Sequence, residues 1–235
     1  MNVKQSLRRI WIESKQTTKF ATHDRKAFFD IARNYLSGCQ KILDLGSGGG
    51  HFIRFFGRDD IYALDGNKKS VNKLKTLTKN AIHSVLPNIP FPDDYFDGIH
   101  ASHILEHLYP EDFYKTLKEM DRVLKKGGIL IISCPMLWDG FYNDLSHTKP
   151  YHPQIFERYL SNDDLSQAST RPHVTGYETR ELVYRYQFQE LNPIMIKHLN
   201  LFNFLSYALI KLLRKAGVGH AYKTGYTIIL EKIGQ

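Results

Sequence analysis

The sequence predicts an α/β fold: a three-layer sandwich in which helices cover both faces of a mostly parallel sheet. From Lys41 to Pro135, short apolar runs alternate with stretches of helical period. Strands alternating with helices call for parallel pairing and crossover connections. The chain has 235 residues, 42% of them hydrophobic and 24% charged, which suits one globular domain with a single substantial core. Residues 1–235 are therefore expected to form one domain.

The elements follow in order. Lys41–Leu45 reads as a buried strand, then a glycine turn and a helix over His51–Phe56. Ile61–Leu64 is a second strand with a helix at Lys68–Leu77, Ile82–Leu86 a third, and Phe96–Ser102 a fourth. Tyr114, Leu117, Met120 and Leu124 recur at helical spacing. Lys126–Gly128 is expected to end that helix, and Ile129–Ser133 to be the fifth strand. After Pro135 the rhythm breaks. Asp139–Tyr151 reads as a loop, Pro153–Leu160 as a short helix and Ser161–Thr175 as polar and turn-rich. Leu182–Leu191 and Tyr222–Ile233 are the last strands, on either side of an amphipathic helix over Met195–Lys215. Residues 136–221 thus make an acceptor-side loop, an insertion and a cover helix. The alternative for that helix, with Lys197, Lys211, Arg214 and Lys215 at its ends, is contact with an anionic lipid surface.

The first dozen residues hold Lys4, Arg8 and Arg9 with no apolar run behind them, unlike a secretory leader. The uncharged stretch His198–Ile210 is 13 residues long and holds two asparagines, too short and polar to span a bilayer. Cys39 and Cys134 stand far apart without a motif, which suggests a reducing compartment. The expected location is cytoplasmic, with peripheral contact to the inner membrane face as a variant. Charge is uneven: +6 over residues 1–41, zero over 42–135 and +2 over 136–235. A basic helical arm over 1–40 beside a neutral core suggests an anionic partner, whereas a solvated helix face is the plainer explanation.

The sharpest local signal is Asp44-Leu-Gly46-Ser-Gly48-Gly-Gly50, after a strand and before a helix. Glycines there let the backbone turn tightly and approach a ligand. A dinucleotide fingerprint wants a third small residue at 51, where His51 stands. A carboxylate at Asp44 repels a pyrophosphate and suits an ammonium group. Asp65 closes the second strand, where a carboxylate at the cleft rim can accept from ribose hydroxyls. Its alternative role is a helix N-cap.

This loop, with Ile89-Pro-Phe-Pro-Asp-Asp-Tyr-Phe-Asp97, Leu105-Glu-His-Leu108 and Val123-Leu-Lys-Lys-Gly-Gly128, resembles the successive motifs of class I S-adenosylmethionine (SAM)-dependent methyltransferases. The resemblance covers about residues 27 to 160. It implies a Rossmann-like, seven-stranded sheet with an antiparallel last strand, and SAM as cofactor. By position, Asp44, Gly46, Ser47 and Gly48 would hold the methionine part, and Asp65 with Gly66 the ribose. Val85 and Leu86 would flank the adenine, with Ala101 near the methionine end. Many relatives carry an Asp after the third strand, and His83-Ser-Val-Leu86 has none.

Methyl transfer to a hydroxyl requires a base, and imidazole titrates in the right range. His147, in Asp144-Leu-Ser-His-Thr-Lys-Pro-Tyr151, is the chosen base with Asp144 beside it, and His103 is the third catalytic candidate. His100 reads as structural. No metal is called for. The alternative is a metal site: His103, Glu106 and His107 would share a helix face, with His147 arriving from the later loop, as in the family that methylates the terminal ribose of small RNAs.

The sequence around His147 looks like that of methyltransferases of sugar and cell-surface polysaccharide biosynthesis. The expected activity is therefore O-methylation of a sugar in a glycan or glycolipid, with an anionic or sugar-containing acceptor. The rivals are an RNA ribose 2′-O-methyltransferase, a small-molecule O- or N-methyltransferase and a non-catalytic scaffold subunit. No RNA-binding module is recognisable, which weighs against a nucleic-acid partner.

Overall fold

A computed structural model describes residues 14–15, 17, 19–22, 24–161 and 176–234. Most of the expected basic arm before residue 24, and residues 162–175 of the polar stretch, lie outside the described residues.

Strand β1 (Ile42–Leu45) is buried along its whole length, as a central parallel strand must be. It is preceded by helix α1 (Lys26–Leu36), whose Phe28, Phe29, Ala32 and Leu36 fall on one buried stripe. Helix α2 (His51–Phe56), β2 (Tyr62–Asp65), α3 (Lys68–Leu74) and β3 (Asn80–His83) follow. Next come β4 (Phe96–Ser102), α4 (Pro110–Val123) and β5 (Leu124–Pro135). Pro110 opens α4, Glu111 and Asp112 lie in its first turn and Arg122 in its last, all matching the helix dipole. Strand β6 (Tyr177–Glu190), helix α5 (Asn200–Lys215) and β7 (Gly219–Lys232) complete the chain.

The seven strands stand in the order β3-β2-β1-β4-β5-β7-β6. β1 runs parallel to β2 and β4, and β4 parallel to β5. β7 is antiparallel to β5, from Ile129↔Glu231 to Pro135↔Gly225. The expected α/β class and the reversed late strand are therefore both present. One buried cluster joins Ile42, Ile131 and Ile229 to Phe29, Leu36, Phe52, Ile53 and Leu74.

Several boundaries differ from expectation. β3 begins earlier than Ile82, because Asn80 and Ala81 pair with Tyr62 and Ala63. Its last ladder pair is Asp65↔His83, closed by the Ser84 N–H on the Asp65 carbonyl. No glycine ends α4. The chain passes straight into β5, where Leu124 pairs with Phe96 ahead of a register shift, and Lys126–Gly128 lie within the strand.

The single expected domain resolves into two compact units, one of Asp24–Val183 with Gly225–Gln235 and one of Met1–His23 with Tyr184–Thr224. No residue of α5 is buried. Among the described residues no helix is long and apolar enough to cross a membrane.

Ile131 is fully buried where β5 meets β4 and β7. Ile131→Ala should lower unfolding free energy by about 2–5 kcal/mol, read as a lower urea midpoint at unchanged slope.

Candidate active site

The parallel strands bring their C-terminal ends to one edge of the sheet, and the loops leaving them line a cavity of ≈ 410 Å3. The glycine loop forms one wall. Gly46 has φ +71°, and a Cβ there would come within 2.7 Å of Ile104 Cγ1, so only glycine fits. At Gly48, φ is +50° and a Cβ would meet nothing within 4 Å, so the open space belongs to the cavity. The Gly46 N–H is fixed on the Leu64 carbonyl at 2.8 Å, and the Ser47 hydroxyl on the Asp44 carbonyl at 2.7 Å.

Asp44 is 3% exposed and lines this cavity. A carboxylate buried so deeply needs a partner. Register supplies one: Asp44 pairs with His100 across β1 and β4, so their side chains share a face. His100 Nδ1 donates to Asp44 Oδ1 at 2.7 Å, while its ring stacks on Phe52 at 3.8 Å. His100 thus positions the carboxylate, a role that a histidine inside a buried strand could have signalled.

Asp65 ends β2 with Oδ2 accepting from the Gly48 N–H at 2.7 Å and Oδ1 from the Asn67 N–H at 2.8 Å. It is not the cap of α3; Asn67 is, accepting from the Lys69 N–H. Each Asp65 oxygen keeps a further lone pair for a hydroxyl donor. A Cβ added at Gly66 would lie 3.5 Å from Val85 Cγ2, and Val85 is 64% exposed, an apolar surface suited to a flat ring. Leu86 follows, half-buried. Ala101, by contrast, is completely buried, and the next residue, Ser102, lines the cavity. A tight bend free of side chains, a fixed carboxylate and an apolar shelf together suit a sulfonium amino acid joined to adenosine.

The opposite wall carries His103, Glu106, His107, Asp144 and His147. The expected helix face is not formed. His103 has a left-handed backbone, φ +55°, and its N–H holds the Ser133 carbonyl. Only Leu105–His107 makes a 3-10 turn. His103 Nδ1 donates to Glu106 Oε1 at 3.1 Å, so it backs the carboxylate and stands outside the cluster of Glu106, His107 and His147. Ligand atoms of those three lie within 4.8 Å of one another. Glu106 is fully buried, and its Oε2 has no hydrogen-bond partner among the described residues.

His147 arrives because its loop is tied to the 3-10 turn. The Glu106 carbonyl accepts from the Thr148 N–H, the Lys149 N–H and the Thr148 hydroxyl. Tyr151 stacks on Phe113 at 3.8 Å and donates to the Leu108 carbonyl. His147 Nδ1 donates to the Phe141 carbonyl at 2.6 Å, which leaves Nε2 as the basic nitrogen. Asp144 does not touch the His147 ring. Its Oδ1 accepts from the Ser146 hydroxyl at 2.6 Å, and that hydroxyl lies 3.0 Å from His107 Nδ1. The Ser146 hydroxyl and N–H hold the Asp144 carboxyl below the usual range. Asp144 therefore orients His107 through Ser146, two residues that sequence reasoning had not joined. Burial, reinforced by the Glu106 carboxylate, pushes the Cys134 thiol well above its ordinary range and keeps it out of the chemistry.

His100→Phe keeps a ring against Phe52 but strips Asp44 of its donor. By the worth of a charge-assisted hydrogen bond, SAM affinity should fall by roughly 10–100-fold in calorimetry, with unchanged circular dichroism.

Comparison with known proteins agrees with this geometry. Residues 43–132 match the family model described as a methyltransferase domain. The ubiquinone/menaquinone biosynthesis C-methyltransferase of Vibrio parahaemolyticus is 39% identical over 153 residues, covering 51% of this chain and 58% of that protein. Its namesake in Cupriavidus metallidurans is 29% identical over 130 residues, covering 49% and 53%. The chain therefore spans little more than half the length of these relatives. In fold it is similar to a SAM-dependent methyltransferase from Archaeoglobus fulgidus (TM-score 0.56, 22% identity, 88% and 92% of the chains covered). It is also similar to a methyltransferase-like protein from Bacillus halodurans (TM-score 0.58, 16% identity, 89% and 99% covered). Residues 43–132 match a methyltransferase domain, and the chain around them has the fold of SAM-dependent methyltransferases.

Proposed function

We propose that the chain methylates an acceptor carrying an ionisable hydroxyl, whose proton is taken by the imidazole of His147, with His107 beside it. The observation that carries this reading is that the Nδ1 of both rings is occupied by loop oxygens, His147 by Phe141 and His107 by Ser146, on the wall facing the glycine loop. When bound, the cofactor supplies a methyl group on a sulfonium centre. The residues of this chain have three tasks: Asp44 and Gly48 hold the donor end, the loop 144–149 orients the acceptor, and an imidazole Nε2 receives its proton. The acceptor O–H proton would pass to that nitrogen, leaving the acceptor electron-rich toward the methyl group that bound cofactor would supply.

For the acceptor, the loop sequence supports a sugar hydroxyl of a glycan or glycolipid. The names of the relatives support a second reading, a ring carbon activated by a neighbouring hydroxyl, as in a quinol. Ionising that hydroxyl enriches the adjacent carbon in electron density, so the same imidazole serves both. Transfer of labelled methyl to glycolipid and to quinol acceptors, followed by product analysis, distinguishes O- from C-methylation. His147→Ala should lower kcat by about 10²–10⁴-fold while leaving the SAM dissociation constant unchanged. Unaltered turnover on a confirmed acceptor would remove His147 from this role. A wild-type chain that fails to bind SAM in calorimetry would favour the scaffold alternative.

The unpartnered Glu106 Oε2 favours an alternative, in which Glu106, His107 and His147 together hold a divalent ion and His147 Nε2 is a ligand in place of a base. Two imidazoles and one carboxylate suit zinc, iron or manganese better than magnesium. On this reading the purified protein carries about one such ion, and His107→Ala loses it in elemental analysis. Full activity of a chelated, metal-free preparation would end it.

A further inference from the structure

Helix α5 is built the wrong way round for a water-facing helix. Its side toward the preceding segment is largely polar. Asn203 bonds both the N–H and the carbonyl of Ile196, Ser206 accepts from the Ile194 N–H, and Arg214 donates to the Leu191 carbonyl. Its outer side carries Leu201, Phe204, Leu205, Leu209 and Leu212, each between 56% and 73% exposed. These positions recur at three- and four-residue intervals, so with Ala208 they form one continuous apolar stripe. The stripe continues into Ile194, Met195 and Leu199, which are at least half exposed. Lys211 and Lys215 flank it, and both are exposed.

Charge is concentrated in the same segment. Residues 184–224, which bear α5, hold six Lys and Arg against one Glu, a balance of +5 out of the net +8. Exposed apolar area and concentrated positive charge are the two signals that together give stable binding to an anionic bilayer, and neither alone does.

We propose that the outer face of α5 docks on the surface of an anionic lipid bilayer. The helix lies in the interface, with the leucine and phenylalanine side chains among the acyl chains and Lys211 and Lys215 at the headgroups. The proposal stands apart from the methyl-transfer reading, since none of these residues belongs to the cofactor or acceptor machinery.

The test uses the full-length protein and vesicles of phosphatidylcholine with and without about one third phosphatidylglycerol. Co-sedimentation should be at least roughly tenfold stronger with the anionic vesicles and should weaken as salt is raised. Leu205→Glu with Leu212→Glu, which puts two acids on an already exposed face, should abolish it by a similar factor while SAM binding is retained. Equal sedimentation of the double variant, or no preference for anionic vesicles, would overturn the proposal. So would a stable dimer in light scattering that the same variant dissociates, because a second copy would then be the occupant.

Discussion

The arrangement depends on the parallel pairing of β1 with β2 on one side and β4 on the other. Leu45 is level with both Leu64 and Ala101, so three strands end at the same height. Everything chemical in the domain leaves the sheet from that line: the glycine loop after β1, Asp65 and Gly66 after β2, and Ser102 to His107 after β4. Antiparallel pairing would have sent alternate loops to the opposite edge. The same register sets Asp44 directly beside His100, which converts a buried charge from a liability into a fixed point of the site.

The sequence carried this part of the molecule well because it is local. The strand–glycine loop–helix unit is specified by residues within a dozen positions of one another, and apolar runs bounded by turn residues leave little choice of element. The place of Asp65 was legible for the same reason, since it closes β2. Ala101 is buried within β4 while its neighbour Ser102 lines the cavity, a difference of one strand step that residue type does not disclose. The side of the sheet on which His100 falls was equally invisible until its register against Asp44 was known.

The acceptor wall was only half legible. Helical spacing of His103, Glu106 and His107 suggested a shared face, but the left-handed turn at His103 breaks that helix before it starts. The expected joining of Glu106 and His107 with His147 from the later loop is present without His103, and main-chain hydrogen bonds to the Glu106 carbonyl assemble it. The Asp144–Ser146–His107 chain was missed for a related reason: Ser146 carries no distinctive signal beside two histidines. The late helix is a different case. Its amphipathic pattern was correctly seen, yet pattern alone does not say which side meets solvent, and the polar anchors of Asn203 and Ser206 reverse the usual answer.

The triple acceptance by the Glu106 carbonyl has a consequence for the loop it holds. Two of the three donors are backbone N–H groups, so the loop is moored largely by groups every residue possesses. Side chains further along it, such as the fully exposed Leu145, are then at liberty to change without unmooring His147. Substitutions along the loop can then reshape this wall of the cavity while the His147 ring keeps its position.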